Sequence, residues 1–103
     1  MLIITIEQIP GKTYDVLGTA MGNIVRTKHI GKDIMAGLKS LAGGEVGNYT
    51  ELLAEARTMA TERMIEDAKK LGADAIVGVR YITCDVMSGA SEVTAYGTAV
   101  KYN

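Results

Sequence analysis

A continuous apolar stripe in the second half of the chain constrains the fold more than any other sequence feature. Apolar residues recur there at intervals of three and four, over about six helical turns. This spacing predicts a long α-helix, with Gly72 in the left-handed position that follows a helix end. Asn48 with Glu51 fits a capping box at its start, and Thr50 is the competing cap. The stripe consists of Leu52, Ala56, Met59, Ala60, Met64, Ala68 and Leu71.

Strand patterns lie on both sides of this helix. Residues 12–28 alternate apolar with polar or small residues, and their glycines predict a bulge or bend. Residues 75–87 and 91–102 are rich in β-branched residues and flank Ser88-Gly89, which suits a tight hairpin turn. A one-faced apolar pattern over 31–41 predicts a second, shorter helix.

These elements predict one α+β domain over residues 1–103: a two-layer, three-stranded antiparallel sheet with one short and one long helix on one face. The apolar segment Leu2 to Ile6 is too short for a core strand, and Pro10-Gly11 ends it in a turn. Sheet edges need cover, yet 73–79 and 93–100 carry few edge-blocking charges. We therefore expect neighbouring copies to cover them, with Leu2 to Ile6 adding as a strand to an adjacent subunit.

The predicted hairpin places two carboxylates against each other. In the register of a two-residue loop, Tyr81 faces Tyr96 and Asp85 faces Glu92. Like charges directly opposite each other are unfavourable, so either the register is shifted or the two carboxylates meet a positive group. The second alternative makes this pair a candidate site.

Two arginines lie beside apolar positions, Arg57 on the flank of the helical stripe and Arg80 within a β-rich run. An arginine in such a place needs a partner. Glu7, Asp85 or Glu92 could serve, within or between subunits. An ion pair at an interface is favoured over a ligand-binding role for either arginine.

The glycine-rich segment 43–48 leads into the long helix. Glycines before a helix N-terminus leave backbone N–H groups free to face an anion, so Gly44, Glu45 and Asn48 are candidate ligand contacts. The carboxylates of Glu45 and Glu51 would repel such an anion. The alternative is an interhelical loop whose glycines let the chain reverse.

The chain has few side chains that could bind a soft metal ion or act in nucleophilic catalysis, because it has one Cys and one His. Zinc takes about four ligands, so one subunit cannot supply a typical closed thiolate or imidazole site for a divalent or soft metal ion. A ring of subunits could repeat one ligand around its axis. Cys84 is interpreted as a small buried hydrophobe, with a dyad between Cys84 and His29 as the alternative. The candidate metal donors are Glu45, Cys84, Asp85 and Glu92.

The core has to be largely aliphatic, because the chain has six Met but no Trp or Phe. The methionines are therefore interpreted as core filler. Met21 and Met87 lie near glycines and are the alternative candidates for exposed thioether ligands of a soft metal.

Charge and the N-terminal sequence narrow the expected partners. The chain has eleven Lys and Arg and twelve Asp and Glu, so it has no excess of positive charge for binding nucleic acid. The start has no signal-peptide pattern, and no stretch reaches about 18 apolar residues. A single cysteine suits a reducing compartment. We expect a cytoplasmic protein without nucleic-acid or membrane partners, whose main partner is itself.

Residues 44–102 resemble the YbjQ family of bacterial and archaeal proteins, whose label names heavy-metal binding. The resemblance rests on Gly44-Glu45, on the run LGADAIVGVRY at 71–81 and on AYGTAV at 95–100. Residues 13–28 also resemble the first long strand of the family. The resemblance implies a dodecin-like α+β subunit, assembled as a pentameric ring with short extra strands at the subunit contacts.

Three functions stay open at this point. The first is a non-enzymatic oligomeric binding protein that holds a metal ion or small anionic ligand between subunits, near Glu45, Arg80, Asp85 and Glu92. The second is a structural or interaction scaffold without a ligand. The third is an enzyme of unknown class that uses a carboxylate as its general acid or base.

Overall fold

The computed structural model describes residues 1–27 and 47–103. The short helix predicted over 31–41 lies outside the described residues, as do His29, Gly44 and Glu45. The described residues form four strands and one long helix, in the chain order β1 (Leu2–Ile3), β2 (Tyr14–Thr27), α1 (Gly47–Lys70), β3 (Ala75–Met87) and β4 (Ala90–Tyr102).

The sheet has four strands in the order β1-β3-β4-β2, antiparallel except for the parallel pair of β1 and β3. The prediction of three strands is therefore wrong, because it left out the N-terminal strand β1. Leu2 lies opposite Ala75 of the same chain, and the Ile4 N–H donates to the Ile76 carbonyl at 3.0 Å. These bonds make the N-terminal segment a strand of its own chain's sheet, at the edge of that sheet. Its role in the contact with an adjacent subunit stays a prediction.

Helix α1 buries most of the predicted stripe against β2 and β4. Leu71 is the exception: it follows the last helical residue and is 44% exposed. Gly72 has a φ of +80°, and the Ala73 N–H donates to the Ala68 carbonyl at 3.1 Å, so the helix ends as predicted. The fully buried positions of the stripe are Ala56, Ala60, Met64 and Ala68.

The start of α1 differs from the prediction. Helical structure begins at Gly47, which places both proposed caps, Asn48 and Thr50, inside the helix. At the other end, Lys69 and Lys70 put positive charge beside the negative end of the helix dipole.

Gly22 is the point of closest approach between the two layers. A Cβ atom there would lie 2.0 Å from the Ala60 carbonyl oxygen and 2.3 Å from the Met64 nitrogen. The helix backbone therefore rests directly on β2. The bulge predicted at the glycines of this strand lies at Gly18, where the register shifts between Val16 and Gly18.

The hairpin register is shifted by one residue from the simple two-residue prediction. Met87 lies opposite Ala90, so Ser88-Gly89 does form the turn, with φ of +76° at Gly89. An irregularity between Asp85 and Met87 adds one residue to β3. Asp85 therefore faces Ser91 instead of Glu92, which removes the predicted clash of carboxylates. The same shift places Tyr81 opposite Ala95 and not Tyr96.

The outer edge of β2 is covered by side chains of α1. The Met21 N–H donates to Asp67 Oδ2 at 3.0 Å, and Arg63 Nη1 donates to the Asn23 carbonyl at 2.7 Å. A free strand edge pairs readily with other chains, and an occupied donor and acceptor block that pairing. α1 thus protects β2 at its centre.

We expect the double substitution Asp67→Ala and Arg63→Ala to expose this edge. Each lost hydrogen bond should lower the free energy of unfolding by about 1 kcal/mol. The exposed strand edge should also let chains associate into larger particles. Dynamic light scattering after gentle heating measures this growth. The matched control is Glu66→Ala with Lys70→Ala, an exposed pair of opposite charges on the same helix. Equal particle growth in both proteins would contradict the edge-protecting role.

Candidate functional site

The outer half of β3, Tyr81 to Met87, forms an open edge of the sheet. β1 accompanies β3 only as far as Val79, whose N–H donates to the Ile4 carbonyl at 3.0 Å. Beyond it, the described part of the chain places no strand on the side of β3 away from β4. All seven residues of the open edge are exposed. The large apolar side chains among them are Tyr81, Ile82, Val86 and Met87, exposed by 43%, 52%, 45% and 67%.

A groove of about 510 Å³ runs between α1 and Tyr81 of the open edge. It exists because α1 packs mainly over β2 and β4, and β3 extends beyond the helix. Thr61 Oγ1 and the Tyr81 hydroxyl are hydrogen-bonded across it at 2.8 Å. Arg57 lines the groove, is exposed, and has no ion pair within residues 1–27 and 47–103.

A chain of polar side chains crosses the sheet face opposite α1. Asn23 Nδ2 donates to Thr94 Oγ1 at 2.9 Å, and Thr94 Oγ1 donates to Glu92 Oε1 at 3.3 Å. Cys84 lies directly opposite Glu92 in the strand register, so the thiol and the carboxylate share this face. Cys84 is exposed, so its interpretation as a buried hydrophobe is wrong. β1 does not extend along this part of β3, and α1 packs on the other face of the sheet.

Asp85 lies on the other face of the sheet from Cys84, because neighbouring residues of a strand alternate in direction. It accepts a hydrogen bond from Ser91 Oγ at 3.1 Å and lines a cavity of about 520 Å³ beside Tyr49 and the turn. Asp85 is therefore separated by the sheet from the pair of Cys84 and Glu92. Across the ranges 1–27 and 47–103, no three His, Cys, Asp or Glu side chains form a group able to hold a metal.

Arg80 has partners, but they differ from the predicted carboxylates. Its Nη1 atom donates to the carbonyl oxygens of Thr5 and Val79, both at 2.9 Å. The guanidinium thus ties the N-terminal segment to β3. Sequence reasoning missed this contact because it assigned Leu2 to Ile6 to a neighbouring subunit. Glu7 lines the same cavity as Arg80, without an ion pair between them.

The methionines divide between core and surface. Met64 is fully buried, as predicted for core filler. Met21 and Met87 are 51% and 67% exposed, so the same interpretation is wrong for them. Met21 belongs to the sheet face opposite α1, and Met87 ends the open edge.

No helix in the described ranges is long and apolar enough to cross a membrane.

Comparison with known families matches all of residues 1–103 to the YbjQ family model, described as "Putative heavy-metal-binding". The chain belongs to the YbjQ family. It is 58% identical over 102 residues to a UPF0145 protein of Thermotoga petrophila, covering 98% of this chain and 96% of the relative. A UPF0145 protein of Vibrio campbellii is 53% identical, with 98% of each chain covered.

A solved structure of a DUF74-family protein from Pediococcus pentosaceus, described as having unknown function, shares the fold of this YbjQ-family chain. The TM-score is 0.68 at 20% sequence identity, covering 100% of this chain and 98% of the other. At this identity the match supports the α+β fold. It carries no information about a ligand or a reaction.

Proposed function

We propose that this YbjQ-family chain is the subunit of a non-enzymatic homo-oligomer in the cytoplasm, a ring of five that assembles through the open edge of β3. The observation that carries the proposal is the open edge itself. Seven consecutive strand residues expose their side chains, and four of these are large and apolar. An unprotected, apolar strand edge in a soluble monomer invites association with another chain.

The contrast between the two sheet edges supports a specific contact. α1 covers the centre of β2 with Asp67 and Arg63, whereas the described residues leave Tyr81 to Met87 uncovered. The subunit is also extended. Its radius of gyration is 17.2 Å, whereas a compact chain of 103 residues has about 13 Å. Subunit packing would bury surface that this elongated shape leaves in water. The number five rests on the resemblance to the YbjQ family.

A charge placed on the open edge tests this proposal. We expect Ile82→Lys to shift the protein toward the mass of one chain, because a lysine on an edge strand opposes pairing with another strand. The matched control is Ile6→Lys, since Ile6 is 58% exposed and Ile82 is 52% exposed. Light scattering coupled to size-exclusion chromatography gives the mass of each, and circular dichroism confirms that each stays folded.

The two lysine variants separate the open edge from the N-terminal segment as the subunit contact. Dissociation by Ile82→Lys alone supports the open edge. Dissociation by Ile6→Lys alone would mean that the N-terminal segment makes the contact, and would overturn the proposal. An unchanged mass for a folded Ile82→Lys protein would also overturn it.

A second candidate function, metal binding, is favoured by the pair of Cys84 and Glu92. The thiol and the carboxylate are cross-strand neighbours on the face opposite α1, and Cys84 belongs to the open edge. Assembly through that edge would bring donors of two subunits near each other. Thiolate and carboxylate together suit zinc or a similar divalent ion, which takes about four ligands. The family description agrees with this chemistry.

Cobalt(II) titration of the assembled protein tests metal binding directly. We expect a thiolate-to-cobalt charge-transfer band that saturates, and its loss in Cys84→Ser. Asp85→Asn is the matched control, because Asp85 lies on the opposite face and should leave the band unchanged. A saturating band that survives Cys84→Ser would place the metal elsewhere. No band in the wild-type protein would favour the scaffold role without a ligand.

A further inference from the structure

A small cavity of about 320 Å³ lies between the N-terminal segment and the sheet face opposite α1. It is separate from the open edge and from the pair of Cys84 and Glu92. Its volume is at the lower end of the range for small-molecule sites. Valine side chains form an apolar wall of the cavity, and one Tyr and one Thr residue also line it. The residues used below are Glu7, Tyr14, Gly78, Arg80 and Thr98.

The cavity holds one cationic and one anionic side chain that do not neutralise each other. Arg80 and Glu7 both line it, but they form no ion pair. Arg80 uses Nη1 for the carbonyls of Thr5 and Val79. Its Nη2 and Nε donors have no partner in the described chain. A guanidinium has five N–H donors, so it retains the fork that binds a carboxylate.

The backbone at Glu7 is held in place by two hydrogen bonds. The Tyr14 hydroxyl donates to the Glu7 carbonyl, and the Gly78 N–H donates to the Ile6 carbonyl at 3.1 Å. Gly78 has a φ of +63°, and a Cβ there would lie 4.0 Å from Glu7 Cγ. Glu7 therefore packs over a glycine, while its carboxylate makes none of the bonds that anchor the segment. The carboxylate is available for a ligand.

We propose that this cavity binds a small zwitterion of the amino-acid class. The carboxylate of the ligand would meet Arg80, its ammonium group would meet Glu7, and the hydroxyls of Tyr14 and Thr98 would add hydrogen bonds. Opposite charges at two walls favour a ligand that carries both charges. A phosphate or other dianion is disfavoured, because Glu7 repels it. The cavity volume of about 320 Å³ has room for a free amino acid.

Nuclear magnetic resonance titration of the full protein with L-alanine tests the proposal, read at the backbone amides of Gly78 and Thr98. N-acetyl-L-alanine lacks the positive charge, and L-alaninamide lacks the negative one. We expect L-alanine to bind at least about tenfold more tightly than either analogue, since each blocked end loses a charged contact. Glycine and L-serine serve as further zwitterions of similar size.

Glu7→Gln is the informative variant, because the structural contacts of residue 7 use its backbone. It should weaken the binding of L-alanine about tenfold, but it should not weaken the binding of N-acetyl-L-alanine, which loses only a repulsive charge. Glu66→Gln, at an exposed carboxylate on α1, should change neither affinity. No shift at Gly78 and Thr98 with any zwitterion at millimolar concentration would overturn the proposal. Equal binding of L-alanine by Glu7→Gln and wild type would overturn it as well.

Discussion

Gly22→Ala is expected to destabilise the folded subunit by at least about 3 kcal/mol, a large part of the total stability of a small domain. The added methyl group would lie 2.0 Å from the Ala60 carbonyl oxygen and 2.3 Å from the Met64 nitrogen. Both are backbone atoms of α1, so no side-chain rotation can make room. The helix would have to move away from β2 along its whole contact. Urea unfolding followed by circular dichroism measures the loss.

Two other glycines provide a graded control for this prediction. A Cβ at Gly97 would meet Ile76 Cγ2 at 2.7 Å and the Val77 carbonyl at 3.0 Å, so Gly97→Ala should cost about 1–3 kcal/mol. Gly11 has open space but a φ of +76°, so Gly11→Ala should cost about 1–2 kcal/mol from backbone strain. A loss at Gly22 no larger than the loss at Gly11 would contradict the direct contact of helix and strand.

Met64→Ala is the second substitution for which we expect a large effect. Met64 is fully buried at the centre of the cluster between α1 and the sheet. Its truncation should lower the free energy of unfolding by about 2–5 kcal/mol, from lost apolar burial and the cavity that remains. The matched control is Met21→Ala, because Met21 is 51% exposed, and it should change stability by less than about 1 kcal/mol. Similar losses in both variants would contradict the placement of the core.

The long helix and the hairpin could be predicted from sequence because their determinants are local. The alanine and methionine spacing fixed the buried face of α1, and Gly72 fixed its end. The register of the hairpin could not be predicted, since the extra residue between Asp85 and Met87 has no distinctive sequence. Gly22 was interpreted as a bend, because the pattern of β2 does not show that a helix backbone lies against it.

The candidate site was less predictable than the fold, because it depends on contacts between distant segments. Cys84 and Asp85 are neighbours in sequence, yet the alternation of β3 puts them on opposite faces. Arg80 was correctly selected as a residue in need of a partner, but its partners are backbone carbonyls of the N-terminal segment. Every residue has a backbone carbonyl, so the sequence does not indicate which carbonyls accept a hydrogen bond from an arginine. Gly44 and Glu45 lie outside the described residues, so their role as ligand contacts stays a prediction.

The central claim is that the open edge of β3 is completed by another copy of the chain. Sedimentation equilibrium of the wild-type protein at micromolar concentration tests it most directly. We expect one species of about 55 kDa, five times the 11.0 kDa of a single chain. A single species of 11.0 kDa over the whole concentration range would contradict pairing of the open edge with another copy.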